Sequence, residues 1–184
     1  MGQRRVPGYG SQQQDPRVVG FGRVGQQVAK RLGSLGMDIV TFDPYISQER
    51  ADQFGAELVD DLDDCLAKSD FITIHTPLTP ETENMIGEDE LALLEGGYVV
   101  NCARGGIIDE PALAEAVEDG VLKGAALDVF GEEPLPEDSP LLDVEDIIVT
   151  PHLARRRRRH RRTSPPPRPN RSSPRPTASP SQTP

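Results

Sequence analysis

Four short stretches of this chain carry groups that could do chemistry. Arg104 lies in "VVNCARGGIIDE", Asp128 and Glu133 in "AALDVFGEEP", and His152 in "IIVTPH". Upstream, Gly20-Phe21-Gly22-Arg23-Val24-Gly25 spaces three glycines as a diphosphate-cradling turn does. Taken singly, none of these decides anything. An isolated arginine ordinarily solvates a surface, and a loop histidine is ordinarily incidental. Three glycines also suit a plain helix-entry turn. Their meaning depends on the elements that carry them.

Those elements alternate. Arg17–Phe21 reads as a strand, and apolar residues at Val24, Val28, Leu32 and Leu35 then follow helical spacing. Asp38–Phe42 reads as a second strand and Gln48–Phe54 as a short helix. Phe71–His75, Tyr98–Cys102, Ala125–Val129 and Ile147–Thr150 read as further strands. Asp109 is a candidate helix cap, with Pro111 suited to the first turn and Gly120 to the exit. Apolar strands separated by helices predict a doubly wound α/β domain over residues 17–152, a Rossmann fold with its parallel sheet covered on both faces. Ligands of such sheets bind beyond the carboxyl ends of the strands. Arg104, Asp128 with Glu133, and His152 follow three successive strands there, and together they form a candidate oxyacid site.

A strand, a glycine-spaced turn and a helix are the setting that a dinucleotide requires. Gly20 permits the tight turn, Gly22 lets backbone approach a pyrophosphate, and Gly25 lets the helix pack close to the strand. The helix N-terminus offers free N–H groups and partial positive charge to the phosphates. Asp43 closes the second strand, placed to accept hydrogen bonds from a ribose diol. Pro44-Tyr45-Ile46 follows it with no basic residue, so a 2′-phosphate meets only negative charge. NAD is therefore expected rather than NADP.

Charge divides the chain. Residues 18–152 hold 29 acidic against 7 basic side chains, whereas residues 153–184 hold ten arginines and no acid. With only three lysines in the chain, the acidic body predicts a protein suited to a salt-rich cytoplasm, where dissolved ions screen self-repulsion. Cys65 and Cys102 are too few and too far apart for a disulfide scaffold, and no metal site is indicated. No apolar run approaches transmembrane length and no signal-peptide core opens the chain, so a cytoplasmic setting without a membrane partner is expected. Residues 1–16, rich in Gly, Gln and Pro, read as an irregular lead-in. Residues 153–184 have no apolar periodicity and read as a disordered basic C-terminal tail.

The pieces "GFGRVG", "HTPLTPET", "NCARGGIIDE", "GAALDVFGEEP" and "TPH" occur in this order over residues 18–152. They resemble the cofactor domain of the D-isomer-specific 2-hydroxyacid dehydrogenases, most of all the branch that oxidises 3-phosphoglycerate in serine biosynthesis. The resemblance implies roles. Arg104 would grip the substrate carboxylate and carbonyl, for which a guanidinium offers two parallel donors. His152 would exchange a proton with the 2-hydroxyl, paired with Glu133, which stands beside Pro134 as the motif requires, unlike Glu132. An imidazole paired with a carboxylate is held in its charged form more readily. Arg23 and Val24 would join Gly20, Gly22 and Gly25 at the pyrophosphate. Thr76, Cys102, Ala103 and Asp128 would line the nicotinamide and ribose, making Cys102 a wall residue rather than a nucleophile.

The resemblance also implies a substrate domain that these residues do not supply, and a complete enzyme that is a homo-oligomer. The expectation is a cofactor domain that binds NAD with little turnover. The arginine run begins abruptly after His152, as a shifted reading frame of GC-rich DNA would produce; the alternative is a polycation that binds nucleic acid. The acidic body opposes nucleic acid as a partner, which ranks an NAD-responsive corepressor-like protein below the enzyme. Glyoxylate, lactate or formate dehydrogenase is the alternative within the enzyme class.

Overall fold

The computed structural model describes residues 16–67 and 69–153. The tail beyond Leu153, and the lead-in before Pro16, lie outside the described residues. The elements in chain order are β1 (Pro16–Val19), α1 (Arg23–Ser34), β2 (Ile39–Phe42), α2 (Gln48–Asp52), β3 (Ala56–Val59) and α3 (Leu62–Leu66). They continue with β4 (Phe71–Ile74), α4 (Glu88–Ala92), β5 (Tyr98–Asn101), α5 (Glu110–Glu118), β6 (Gly124–Leu127) and β7 (Ile147–Val149). All pair in parallel in the order β3-β2-β1-β4-β5-β6-β7. This is the doubly wound sheet that the sequence predicts. Its order reverses between β1 and β4, the switch point where such sheets take a ligand.

Neighbouring residues on one strand feed different cores, because side chains alternate across a sheet. Val18 joins Phe21, Ala29, Ile39, Ala51 and Ala56 under α1 and α2. Val19 joins Ile72, Ile74, Leu66, Leu91 and Leu113 under α3, α4 and α5. Among the described residues, the first of these cores takes none from β5, β6 or β7. On that half Tyr98 is 46% and Ile148 65% exposed, while helices still lie on both faces of the sheet.

Five strands end one or two residues earlier than their apolar runs suggest. The chain leaves the sheet there to form loops, yet the first loop residues keep a ladder bond. Gly20 donates to the Phe42 carbonyl at 2.8 Å, His75 to Val19 at 2.7 Å, and Asp128 to Asn101 at 2.9 Å. At the other end, Pro16 belongs to β1 rather than to the lead-in. The α5 entry follows its sequence signals: the Asp109 carboxylate accepts the Ala112 amide at 3.0 Å, with Pro111 in the first turn. Among the described residues no helix is long and apolar enough to cross a membrane.

His75 sits where β4 leaves the sheet, its Nε2 3.0 Å from the Thr73 hydroxyl, and burial holds its pKa below the ordinary 6.5. The unfolded chain therefore takes up this proton first. Stability is full above pH 6.5 and falls as the pH drops from 6.5 toward the lowered folded value. His75→Gln is expected to flatten that part of the acid-side loss, read from urea midpoints between about pH 7 and pH 5.

Candidate functional site

The glycine turn is built by close backbone approach. Gly20 has φ +89°, and a Cβ there would stand 2.7 Å from Thr76 Cγ2. At Gly25 a Cβ would stand 2.2 Å from the Gly20 carbonyl oxygen. No residue but glycine lets α1 start so near β1. Gly22 differs: its Cβ position has no atom of the described residues within 4 Å. Open space thus lies beside the backbone where α1 begins, with Arg23 and Val24 exposed in its first turn. Helix N-termini leave their first N–H groups without partners in the helix, which suits an anion.

Asp43 faces this turn. Its Oδ2 accepts the Phe21 amide at 2.7 Å and its Oδ1 the Tyr45 amide at 3.0 Å. The carboxylate therefore helps hold the turn, a role that the sequence reading missed; ionised, it keeps further lone pairs for a diol. Across the turn, the buried Thr76 hydroxyl has no hydrogen-bond partner among the described residues. An orphaned buried hydroxyl is costly, and here it borders Gly20. Open backbone at Gly22, an unpaired hydroxyl and an acid at the end of β2 all fit a dinucleotide.

The Arg104 loop follows β5. Asn101 is buried, its Nδ2 donating to the Arg104 carbonyl at 2.9 Å and its Oδ1 accepting the Ala103 amide at 3.0 Å. Gly105 packs so tightly on the next loop that a Cβ would fall 1.8 Å from the Phe130 oxygen. These contacts fix the loop and leave the Arg104 side chain exposed, its Nη1 donating to the Ala103 carbonyl at 2.6 Å. Sequence reasoning passed over Asn101 as the residue that holds this loop; an amide at the end of an apolar strand was its only signal. Cys102 is exposed as a residue, but partial burial of its sulfur, then the Asp128 charge, push the thiol above 9.0. A protonated thiol suits a wall.

Two strands away, the loop after β7 carries His152. Its Nδ1 lies 2.9 and 3.0 Å from the two oxygens of Glu133, in the loop after β6. The side chains are 27% and 29% exposed. Glu133, not Glu132, is the acid that meets the ring. Asp128 turns an oxygen to the same loop, accepting from the Thr150 hydroxyl at 2.5 Å and the Leu153 amide at 2.9 Å. The site residues thus fall into two groups, the turn at the switch point and three loops beyond β5, β6 and β7.

The D-isomer specific 2-hydroxyacid dehydrogenase NAD-binding domain family matches residues 1–154. The chain belongs to this family. D-3-phosphoglycerate dehydrogenase of Methanocaldococcus jannaschii is 53% identical over 136 residues, 73% of this chain and 26% of that protein. Among solved structures, the NAD-complexed D-isomer specific 2-hydroxyacid dehydrogenase of Lactobacillus delbrueckii ssp. bulgaricus is 34% identical with a TM-score of 0.66, covering 75% of this chain and 45% of that one. The NAD-dependent formate dehydrogenase of Staphylococcus aureus in complex with NAD is 38% identical with a TM-score of 0.69, covering 76% and 42%. The chain spans about a quarter of the length of the curated relatives it matches.

Thiol alkylation tests the Cys102 environment. Its rate is expected to rise with a midpoint above pH 9.0, and Asp128→Asn is expected to lower that midpoint by removing a like charge. Cys65, fully buried and with its thiol pushed up to about 12, is expected to react only on unfolding.

Proposed function

We propose that residues 18–152 bind NAD and present it to a 2-hydroxyacid, with 3-phosphoglycerate as the substrate of the complete enzyme. The observation that carries this reading is the glycine turn itself, open at Gly22 and faced by the Asp43 carboxylate. The α1 N-terminus and the turn amides neutralise the diphosphate, Asp43 takes the ribose hydroxyls, and Thr76 gains the partner it lacks. Cys102, Ala103 and Asp128 line the space beyond β5 and β6. Bound there, NAD supplies the hydride acceptor.

The remaining chemistry is the chain's own. Arg104 pairs with the substrate carboxylate and carbonyl oxygen through parallel N–H donors. His152, held at Nδ1 by Glu133, keeps Nε2 for the substrate and takes the 2-hydroxyl proton as the alcohol becomes a carbonyl. Glu133 orients the ring and offsets the charge it gains. The choice of 3-phosphoglycerate draws on the similarity to phosphoglycerate dehydrogenases, and NAD over NADP on the acid at position 43. Soluble association of the complete enzyme into oligomers belongs to the same reading.

Calorimetry on the 184-residue chain, in molar KCl to screen its acidic body, tests the proposal. NADH is expected to bind, and NADPH more weakly. Asp43→Ala is expected to cost about 10- to 100-fold in NADH affinity, as loss of charge-assisted hydrogen bonds does. Gly25→Ala is expected to abolish binding and to cost about 1–3 kcal/mol of stability through overpacking. Failure of the folded chain to bind NADH overturns the reading.

A further inference from the structure

His152 has a backbone conformation that needs a cause. Its φ is +49°, the left-handed region that few residues with a side chain enter, histidine more often than most. Its amide donates to the Thr150 carbonyl at 3.0 Å, closing a very short turn. The residues on either side are tied to one atom. Asp128 Oδ1 accepts the Thr150 hydroxyl at 2.5 Å and the Leu153 amide at 2.9 Å.

That atom is itself well anchored. The Asp128 amide donates to the Asn101 carbonyl of β5, and the Thr150 amide to the Leu127 carbonyl of β6, both at 2.9 Å. The arc from Thr150 to Leu153 is clamped at both ends, while the ring between them is left to Glu133. The family resemblance makes Asp128 a wall of the cofactor site and gives Thr150 no part at all.

We propose that Asp128 and Thr150 form a latch that holds His152 in its left-handed conformation and so presents its ring to Glu133. Thr150 is a positioning residue acting through His152, and Asp128, which also lines the proposed cofactor space, positions His152 through its Oδ1. The proposal rests on the reading of His152 as the group that moves the substrate proton. The carboxylate oxygen is the right acceptor for this task. A charged oxygen takes two donors at once and binds each more strongly than a neutral carbonyl does. One side chain thereby fixes two points of the backbone, one residue on each side of the ring.

NMR on the full 184-residue chain tests the latch without requiring turnover. Glu133→Ala, which removes the acceptor, identifies the His152 ring Nδ1–H resonance by abolishing it. Thr150→Val removes the hydroxyl at nearly constant volume. It is expected to speed exchange of the His152 and Leu153 amides by at least about tenfold and to broaden the ring resonance away. Thr150→Ser is expected to restore both, and the β1 amides of Val18 and Val19 to keep their protection throughout. If the valine methyl loosens β1, Thr150→Ala carries the same test. Wild-type exchange and an intact ring resonance in the hydroxyl-free variant overturn the latch, as does a serine variant that behaves like valine. NADH binding, measured on the same samples, judges the proposed function separately, because the latch is read from amides and the ring alone.

Discussion

The contact on which the site depends is between two pieces of backbone. Gly25, in the first turn of α1, comes so near the Gly20 carbonyl oxygen that one added carbon would stand 2.2 Å from it. This approach sets the angle at which α1 leaves β1, and with it the direction of the unpaired amides at the helix start. It also brings the Phe21 amide within 2.7 Å of Asp43 at the end of β2 and Thr76, after β4, up against Gly20. Three strands thus converge on one bend whose shape is set by the lack of side chains. Everything else at the switch point is arranged around that vacancy of atoms.

The other half of the site follows a different principle. Arg104, Glu133 and His152 stand on loops beyond β5, β6 and β7, and polar side chains rather than glycine contacts hold most of those loops. Asn101 bonds both the Arg104 carbonyl and the Ala103 amide. Asp128 bonds both flanks of His152, and Glu110, from α5, accepts the Gly131 amide at 2.7 Å. Each buried or half-buried polar group spends its hydrogen-bonding capacity on a loop's backbone, which makes the loop specific in shape. The chemistry-bearing side chains are then left partly exposed to meet a ligand.

The sequence displayed the glycine turn, the acid at position 43, the cap of α5 and the strand-end placement of the polar residues, because each follows a local rule of spacing or steric need. It did not display β3, α3 or α4. Ala56–Val59 carries Glu57 within four residues, and Leu62–Leu66 sits among Asp60, Asp61, Asp63 and Asp64, so neither shows a clear apolar period. Glu88–Ala92 is too short for one. These elements form because the sheet and its neighbours bury Leu66, Cys65 and Leu91, a tertiary cause that a linear reading cannot weigh. Hydrogen bonds within the site were equally hidden. That Asn101 ties its loop, or that Asp43 holds the Phe21 amide, depends on which backbone groups are left unpaired after folding.

Arg104, Glu133 and His152 all follow adjacent strands of one continuous sheet, from β5 to β7. Their mutual spacing is therefore insulated from whatever closes over them. Under the proposed function, opposing surfaces can be exchanged, enlarged or recharged to admit a different hydroxyacid while Arg104, Glu133 and His152 stay in register. On that reading selectivity and chemistry rest on separate surfaces, and a change of substrate need not be a change of mechanism.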